Sequence, residues 1–381
     1  MNRNICVVIT ARASYSRIKT VLAAIEKHPS FLLTLVVTGS ALCDKFGSVA
    51  DQIIQDGFKI NARFSNILES CSVADSPKTV ALAMIELSTF FAQHKPDFVI
   101  TIADRFETIA TATAAAIMNI PLIHLQGGEV SGNIDDKVRN AVTQLADFHF
   151  VATDNARKRV IQMGAHPENV FNAGCPSIDI AAEVMQNHTL DFNPFSKYGG
   201  VGVSFDYSKG YLVVMQHSVT NEHTSADEQI QQTFLAIERQ NLPAFWFWPN
   251  ADAGTDAIAK RMRTYREMYP RTPIHFFKNM SPHDFLKLLK NAKCLIGNSS
   301  VGIRESAYMG VPVVNIGNRQ VGRERAANVI DTDHDAINIG KAIQQQIDHG
   351  YYAPDNLYGT GNSGEDIVKI VNTLQPNKQN S

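Results

Sequence analysis

The chain has 381 residues, 44% hydrophobic and 19% charged, and its 35 Lys and Arg against 37 Asp and Glu leave a formal net charge of -2. That length buries two ordinary cores, while so even a charge balance excludes a bulk field that would gather nucleic acid or an anionic membrane, and leaves a local basic pocket as the electrostatic route to phosphate. Five scattered cysteines, without CxxC spacing or a nearby histidine cluster, supply no metal site and read as reduced thiols of a cytoplasmic protein.

In chain order, ICVVIT (residues 5–10) is too short for a secretory segment, is closed by Arg12, and reads as a first buried strand. Ile18, Val21, Leu22 and Ile25 then recur at helical spacing. LTLVVTG (33–39), DFVITIA (97–103), PLIHLQG (121–127), FHFVAT (148–153) and VFNAG (170–174) continue as strands between helical patterns. The long apolar stretch at 108–125 is interrupted by Asn119 and Pro121 and is not expected to span a membrane. Residues 191–210 lose helical periodicity and collect Gly, Pro and Ser, which predicts a linker after an N-terminal domain at 1–190. YLVVMQH, PAFWFWPN, IHFFKN, KCLIGN and PVVNIG then repeat the plan in a C-terminal domain at 211–360, followed by a last helix and polar tail at 361–381. Continuous apolar strands alternating with amphipathic helices predict an α/β chain of two Rossmann-like, doubly wound, parallel-sheet domains.

Ligands of such sheets sit outside the carboxyl ends of the strands, so polar residues just after strands are the candidates. Arg12 follows the first strand, where a guanidinium is placed to clamp phosphate; Ser14 and Ser16 behind it read as N-caps or as ligands. Asp104 and Arg105 read as a structural ion pair or as site residues. HLQGGEVSGNIDD (124–136) sets Gln126, Glu129 and Asp135 in a loop with little apolar filler. His217 reads as a satisfied core histidine or a site residue, and Asn250 and Asp252 as an Asx turn or a site. GNSSVGIRESAYMGVP (297–312) is stronger: a small-residue turn into a helix N-terminus reads as an anion cradle of Ser299, Ser300 and Gly302. Glu305, about a turn later, is suited to a ribose diol. GTGNSG (359–364) has the letters of a dinucleotide fingerprint but follows no first strand, and reads as a loop into the last helix.

Together RASYSR, ADRFE, GGEVSGNIDDKVRNA, GCPSID, QHSVT, GNSSVGIRES and GNRQVGRE resemble the UDP-N-acetylglucosamine 2-epimerase family, most closely its hydrolysing branch, which makes N-acetylmannosamine for sialic acid synthesis. The resemblance implies two domains facing across a cleft, as in B-type glycosyltransferases, with the last helix crossing back to the first. It also implies a homodimer, a UDP-sugar substrate, UDP as product and no cofactor. The sugar nucleotide loses UDP by elimination to a glycal, and water then adds with the opposite C2 configuration. That work needs carboxylates in separate protonation states, which the resemblance maps onto Asp104 and Asp135, with Glu129 nearby and His217 beside the leaving group. Arg12, His217, Ser299, Ser300 and Gly302 would hold the diphosphate and Glu305 the ribose hydroxyls; Ser16, Arg105, Asn250, Asp252 and Arg319 would line the substrate or close over it.

The family's loop commonly reads HxEGGE, whereas here Gln126 stands in place of the first glutamate; glutamine positions water or a hydroxyl but carries no proton. Ser14 likewise stands where an acidic residue is common, and YGTG where YGDG is. The alternative substrate is UDP-2,4-diacetamido-2,4,6-trideoxy-glucose, and the alternative of another class is a catalytically silent sugar-nucleotide sensor. A non-hydrolysing epimerase is disfavoured by GGEVSGNIDD, and a transferase by its lack of need for C2 proton chemistry.

Overall fold

The computed structural model describes residues 2–43, 49–68, 75–132, 134–219, 224–249 and 255–376. The chain divides into two compact units, Met1–Glu129 with Ile134–Asp179 and Tyr358–Ser381, and Val130–Asn133 with Ile180–Leu357. The first is built on strands β1 (Arg3–Ile9), β2 (Phe31–Thr38), β3 (Ala62–Phe64), β4 (Phe98–Ile102), β5 (Leu122–Leu125), β6 (Phe148–Val151) and β7 (Val170–Asn172). They lie in the order β3-β2-β1-β4-β5-β6-β7, every neighbouring pair parallel. The second holds β8 (Val201–Gly202), β9 (Leu212–Met215), β10 (Ala244–Phe247), β11 (Ile274–Phe277), β12 (Cys294–Gly297), β13 (Val313–Ile316) and β14 (Val329–Thr332). Its order is β14-β13-β12-β9-β10-β11-β8, parallel except for β8, which runs antiparallel to β11. Two doubly wound parallel domains are as the sequence predicts.

The apolar runs make these sheets because successive side chains face opposite sides and both sides are covered. Ile5, Val7 and Ile9 join one core with Val21, Leu22 and Ile25 of the helix Lys19–Lys27. Cys6 and Val8 join another with Leu87 and Phe91 of the helix Asp75–His94. In the second unit Leu212 and Val214 face Ile230 and Phe234, while Val213 between them faces Leu288 and Leu289. Among the described residues no helix is long and apolar enough to cross a membrane.

The last helix, Ser363–Thr373, belongs to the first unit: Ile367, Val368 and Val371 complete the core around β1. Its N-terminus is held by Asp179, whose two oxygens accept from the Ser363 and Gly364 amides at 2.7 Å each, while Thr20 Oγ1 donates to the same carboxylate at 2.7 Å. Gly364 lies so close to Thr20 that a Cβ would come within 2.7 Å of its carbonyl carbon.

Residues 191–210, expected as a linker, instead pack within the second unit, which already begins at Ile180 inside the helix Ser177–Gln186. Phe195, Phe205 and Tyr207 cluster on Phe245 of β10 with ring centroids 4.9 to 5.8 Å away. Gly199, Gly200 and Gly202 take positive φ to bring β8 beside β11.

Two buried histidines lie side by side in the first sheet, His124 on β5 and His149 on β6. His124 Nε2 lies 3.0 Å from the Ala103 carbonyl, to which it donates, so Nδ1 accepts from Thr143 Oγ1 at 3.1 Å. Burial pushes the His124 pKa down to about 3 and the His149 pKa down to about 4. Both therefore fold neutral, and both return to a pKa of about 6.5 in the unfolded chain. Their contribution is complete above that unfolded value and is lost as pH falls toward the folded ones, each proton steepening the loss toward about 1.4 kcal/mol per pH unit. Urea midpoints measured from about pH 7.5 down to about pH 4.5 should fall less steeply for His149→Leu than for the unaltered chain; parallel slopes would contradict the neutral pair.

Candidate active site

At the carboxyl ends of β4 and β5 the backbone turns abruptly through two non-glycine residues, Ala103 and Gln126, each with φ of 66°. Left-handed backbone at such residues costs roughly 1–2 kcal/mol each. The turns are held by Ala103 N donating to Leu125 O at 3.0 Å and Gln126 N to Phe150 O at 2.7 Å, which extend the parallel ladder by one residue. Directly after them come the acidic residues.

Asp104 is buried, and its Oδ2 accepts from Nη2 of Arg139, which has 0% exposure. Nη1 of the same guanidinium donates to Asp136 Oδ1 and, at 2.7 Å, to the Glu129 carbonyl. Arg17 approaches Asp104 Oδ1 at 4.0 Å. Arg139 lies one turn into the helix Ile134–Leu145, whose first turn carries Asp135 and Asp136, where carboxylates also answer the positive end of the helix. Glu129 is buried and Asp135 half-buried. Gln126 is buried, its Nε2 donating to Cys175 Sγ at 3.0 Å; that sulfur lies 3.0 Å from Ser177 Oγ. Arg105 turns to Glu107, Nε to Oε2 at 3.5 Å, and Glu107 also accepts from Ser40 Oγ at 3.1 Å. Ser16 ends the short helix Arg12–Ser16, of which the Arg12 side chain lies outside the described residues.

In the second unit the ends of β9 and β12 clasp each other through Asn298. Its Oδ1 accepts from His217 N and its Nδ2 donates to His217 O, both at 2.8 Å. Gly297 before it has φ of 133°, and a Cβ there would meet the Met215 carbonyl oxygen at 2.2 Å, so glycine is obligatory for β12 to end beside β9. The Asn298 carbonyl accepts from Gln320 Nε2 at 2.9 Å and Arg319 Nη1 at 3.2 Å. His217, Asn298 and Arg319 are thus brought together. Beyond them the expected continuous helix is a 3-10 turn, Ser300–Gly302, capped by Ser299 Oγ accepting from Val301 N at 3.5 Å, followed by a short helix, Glu305–Met309. Gly302 faces Val313, whose Cγ1 would lie 2.9 Å from a Cβ, so its lack of a side chain serves packing. Glu305 opens the short helix with Oε2 buried and unmatched by a hydrogen bond. Asn250 and Asp252 lie outside the described residues.

The sequence profile of the UDP-N-acetylglucosamine 2-epimerase family matches residues 23–372. The chain belongs to that family. It is 32% identical over 381 residues to the UDP-N,N'-diacetylbacillosamine 2-epimerase (hydrolyzing) of Legionella pneumophila, covering 100% of this chain and 98% of the relative. To the UDP-N-acetylglucosamine 2-epimerase of Neisseria meningitidis it is 31% identical over 378 residues, covering 98% and 95%. The crystal structure of UDP-GlcNAc 2-epimerase from Neisseria meningitidis bound to UDP-GlcNAc superposes with a TM-score of 0.81 at 15% identity, covering 97% of this chain and 100% of that one, a likeness of fold.

The strand-end rule pointed to Asp104, Gln126 and His217, and did not point to their neighbours Arg139, Cys175 and Asn298. Arg139 was legible as the base four residues after Asp135 and three after Asp136 on one helical face. Asn298 stood unremarked between the glycine and the serines of the cradle motif. Asn298→Ala in this epimerase removes both bonds to the His217 backbone, and the unfolding free energy from urea melts should drop by about 1–3 kcal/mol with a loss of UDP affinity. Unchanged melts and UDP affinity would show that the two strand ends are held by other contacts.

Proposed function

We propose that this epimerase is of the hydrolysing kind, converting UDP-N-acetylglucosamine and water to N-acetylmannosamine and UDP for sialic acid synthesis. The observation that carries the proposal is the convergence of Asp104, Asp136 and the Glu129 backbone on the buried guanidinium of Arg139, with Asp135 in the same first turn. A sugar-nucleotide transferase has no need of such an acidic group beside its donor sugar. In the elimination, the C2–H bond breaks and its proton passes to a carboxylate, the freed pair forms the C1–C2 double bond, and the C1–O bond breaks toward UDP. In the hydration, water adds its oxygen to C1 while a proton reaches C2 on the opposite face, which inverts that centre. Gln126, with its amide tied to Cys175, orients water or a hydroxyl and leaves proton transfer to Asp104, Asp135 and Glu129.

The leaving UDP is held in this proposal by Arg12, His217, Ser299, Ser300 and Gly302, with Glu305 on the ribose, Arg319 closing over it, and Ser16, Arg105, Asn250 and Asp252 toward the sugar. Stabilising a departing diphosphate by fixed donors is an efficient use of binding energy. No cofactor is called for. Exposed Leu82 and Ile85 on the helix Asp75–His94, and Ile117 ending the helix Thr108–Ile117, support a homodimer through the first unit. Cys6 and Cys294, buried as thiols, support a cytoplasmic location.

A second substrate, UDP-2,4-diacetamido-2,4,6-trideoxy-glucose, is favoured by the name of the Legionella relative, whose identity to this chain is level with that of the Neisseria one. Both sugar nucleotides should be offered in deuterated water and in ¹⁸O-water. The expected outcome is steady UDP release with deuterium at C2 of the manno-configured sugar and ¹⁸O at its anomeric carbon; whichever sugar turns over faster names the substrate. Label in UDP would mean attack at phosphorus and overturn the elimination, and tight binding of both without product would make the chain a sensor.

A further inference from the structure

We propose that Arg139 is a positioning residue of the proton-transfer step: it fixes Asp104 as an anion and ties it to the acidic loop, so that Asp104 accepts the C2 proton and a different group delivers the proton that inverts C2. This deepens the hydrolytic proposal and rests on it.

Three segments of the first unit meet on one planar group. Asp104 comes from the end of β4, Glu129 from the loop after β5 and Asp136 from the helix that carries Arg139 itself. A guanidinium with 0% exposure has no solvent to fall back on, so its charge must be met inside the protein. Burial alone would pull the Arg139 pKa down; Asp104 first, then Glu129 and Asp136, reverse that and carry it above its ordinary value. The coupling is mutual, so the same contacts hold Asp104 in its charged form.

The groups facing Asp104 agree. Arg139 meets one oxygen from the helix Ile134–Leu145 and Arg17 lies 4.0 Å from the other. Arg105 follows it in the chain and turns to Glu107. His124, from β5, is kept neutral by burial. The Asp136 carboxylate and the Glu129 backbone carbonyl meet the other arm of the same guanidinium, Nη1. An aspartate so placed has no proton to give near neutrality but is an acceptor. In the elimination the C2–H bond breaks toward Asp104 while the C1–O pair leaves with UDP; that proton returns to solvent. The proton added to the opposite face of C2 in the hydration then comes from a second carboxyl of the acidic loop, Asp135 or Glu129.

The test compares Arg139→Met and Arg139→Lys with the unaltered chain, using the UDP-sugar that it turns over. Removing the guanidinium should cut kcat about 10²-fold or more while KM and UDP affinity stay within about threefold, and the acidic limb of the kcat–pH profile should move up. Lysine, which restores charge without the fork, should recover part of the rate and keep the limb low. A methionine variant within about threefold of wild-type kcat, or an acidic limb that does not move, overturns the proposal. If Arg139→Met does not fold, the lysine variant carries the same decision: kcat and profile equal to wild type would mean that the fork positions nothing. Should the unaltered chain turn over neither sugar, the hydrolytic proposal fails on its own, and ¹³C-aspartate NMR still tests this one. The Asp104 signal, assigned by its absence in Asp104→Asn, should titrate at higher pH in Arg139→Met than in wild type; an unshifted midpoint overturns the positioning role.

Discussion

The central strands of the first sheet are covered on both faces, with Ile5, Val7 and Ile9 looking into one core and Cys6 and Val8 into another, so that their interiors offer a polar group no solvent. Polar groups that a ligand must reach are thereby driven to the ends of strands. In the first unit that edge is made of Ala103, Asp104, Gln126 and the loop reaching Glu129, and in the second of His217, Gly297 and Asn298. The sharpness of the edge has its own requirements: left-handed backbone at Ala103 and Gln126, and a glycine at 297 where any side chain would strike Met215.

The two edges answer the burial of polar groups by different chemistry. The first does it with full charges, guanidinium against carboxylate, supported by a neutral histidine that anchors the Ala103 carbonyl. Such an array is stable only when complete, because a buried charge that loses its partner is far costlier than a buried amide that does. The second uses neutral amides, Asn298 and Gln320, to hold backbone against backbone, with Arg319 Nη1 donating to the same Asn298 carbonyl that Gln320 meets. In the proposed reaction the charged edge carries the proton transfers and the amide edge holds the anion.

The fold was legible because buried parallel strands are written as unbroken apolar runs, and VVIT, VVTG and VVMQ need no partner to be recognised. The misplaced linker shows where composition misleads. Residues 191–210 are rich in Gly and Ser, yet the informative residues were Phe195, Phe205 and Tyr207, whose packing on Phe245 is a tertiary fact invisible to local pattern. The cradle helix was overestimated for a similar reason: Ser300 to Met309 has helical propensity, but the chain breaks at the buried Arg304, where backbone torsions of -99° and -75° separate a 3-10 turn from a short helix. Acidic residues at strand ends were easy to find, since carboxylates in a loop lack any apolar excuse. Arg139, inside a helix and away from any strand end, is signalled only by its spacing to Asp135 and Asp136, whereas a lone thiol such as Cys175 carries no spacing signal at all.

The return of Ser363–Thr373 to the first unit makes the second unit an insertion within the first, and this bears on the order in which a ribosome can deliver a finished protein. Domains usually fold one after another as they emerge, the N-terminal one first. Here the core around β1 lacks Ile367, Val368 and Val371, and Asp179 lacks the Ser363 and Gly364 amides, until all of Ile180–Leu357 has been made. The unit begun first is thus completed last, with the helix Lys19–Lys27 presenting an apolar face to solvent throughout the interval. Contacts between Thr20 and Asp179 precede the closing helix in the chain and form its seat, so the nascent first unit waits as an open template. Premature termination anywhere in the second unit leaves that template uncovered and exposes the translation product to chaperones and proteases at its N-terminal end, far in sequence from the site of the stop.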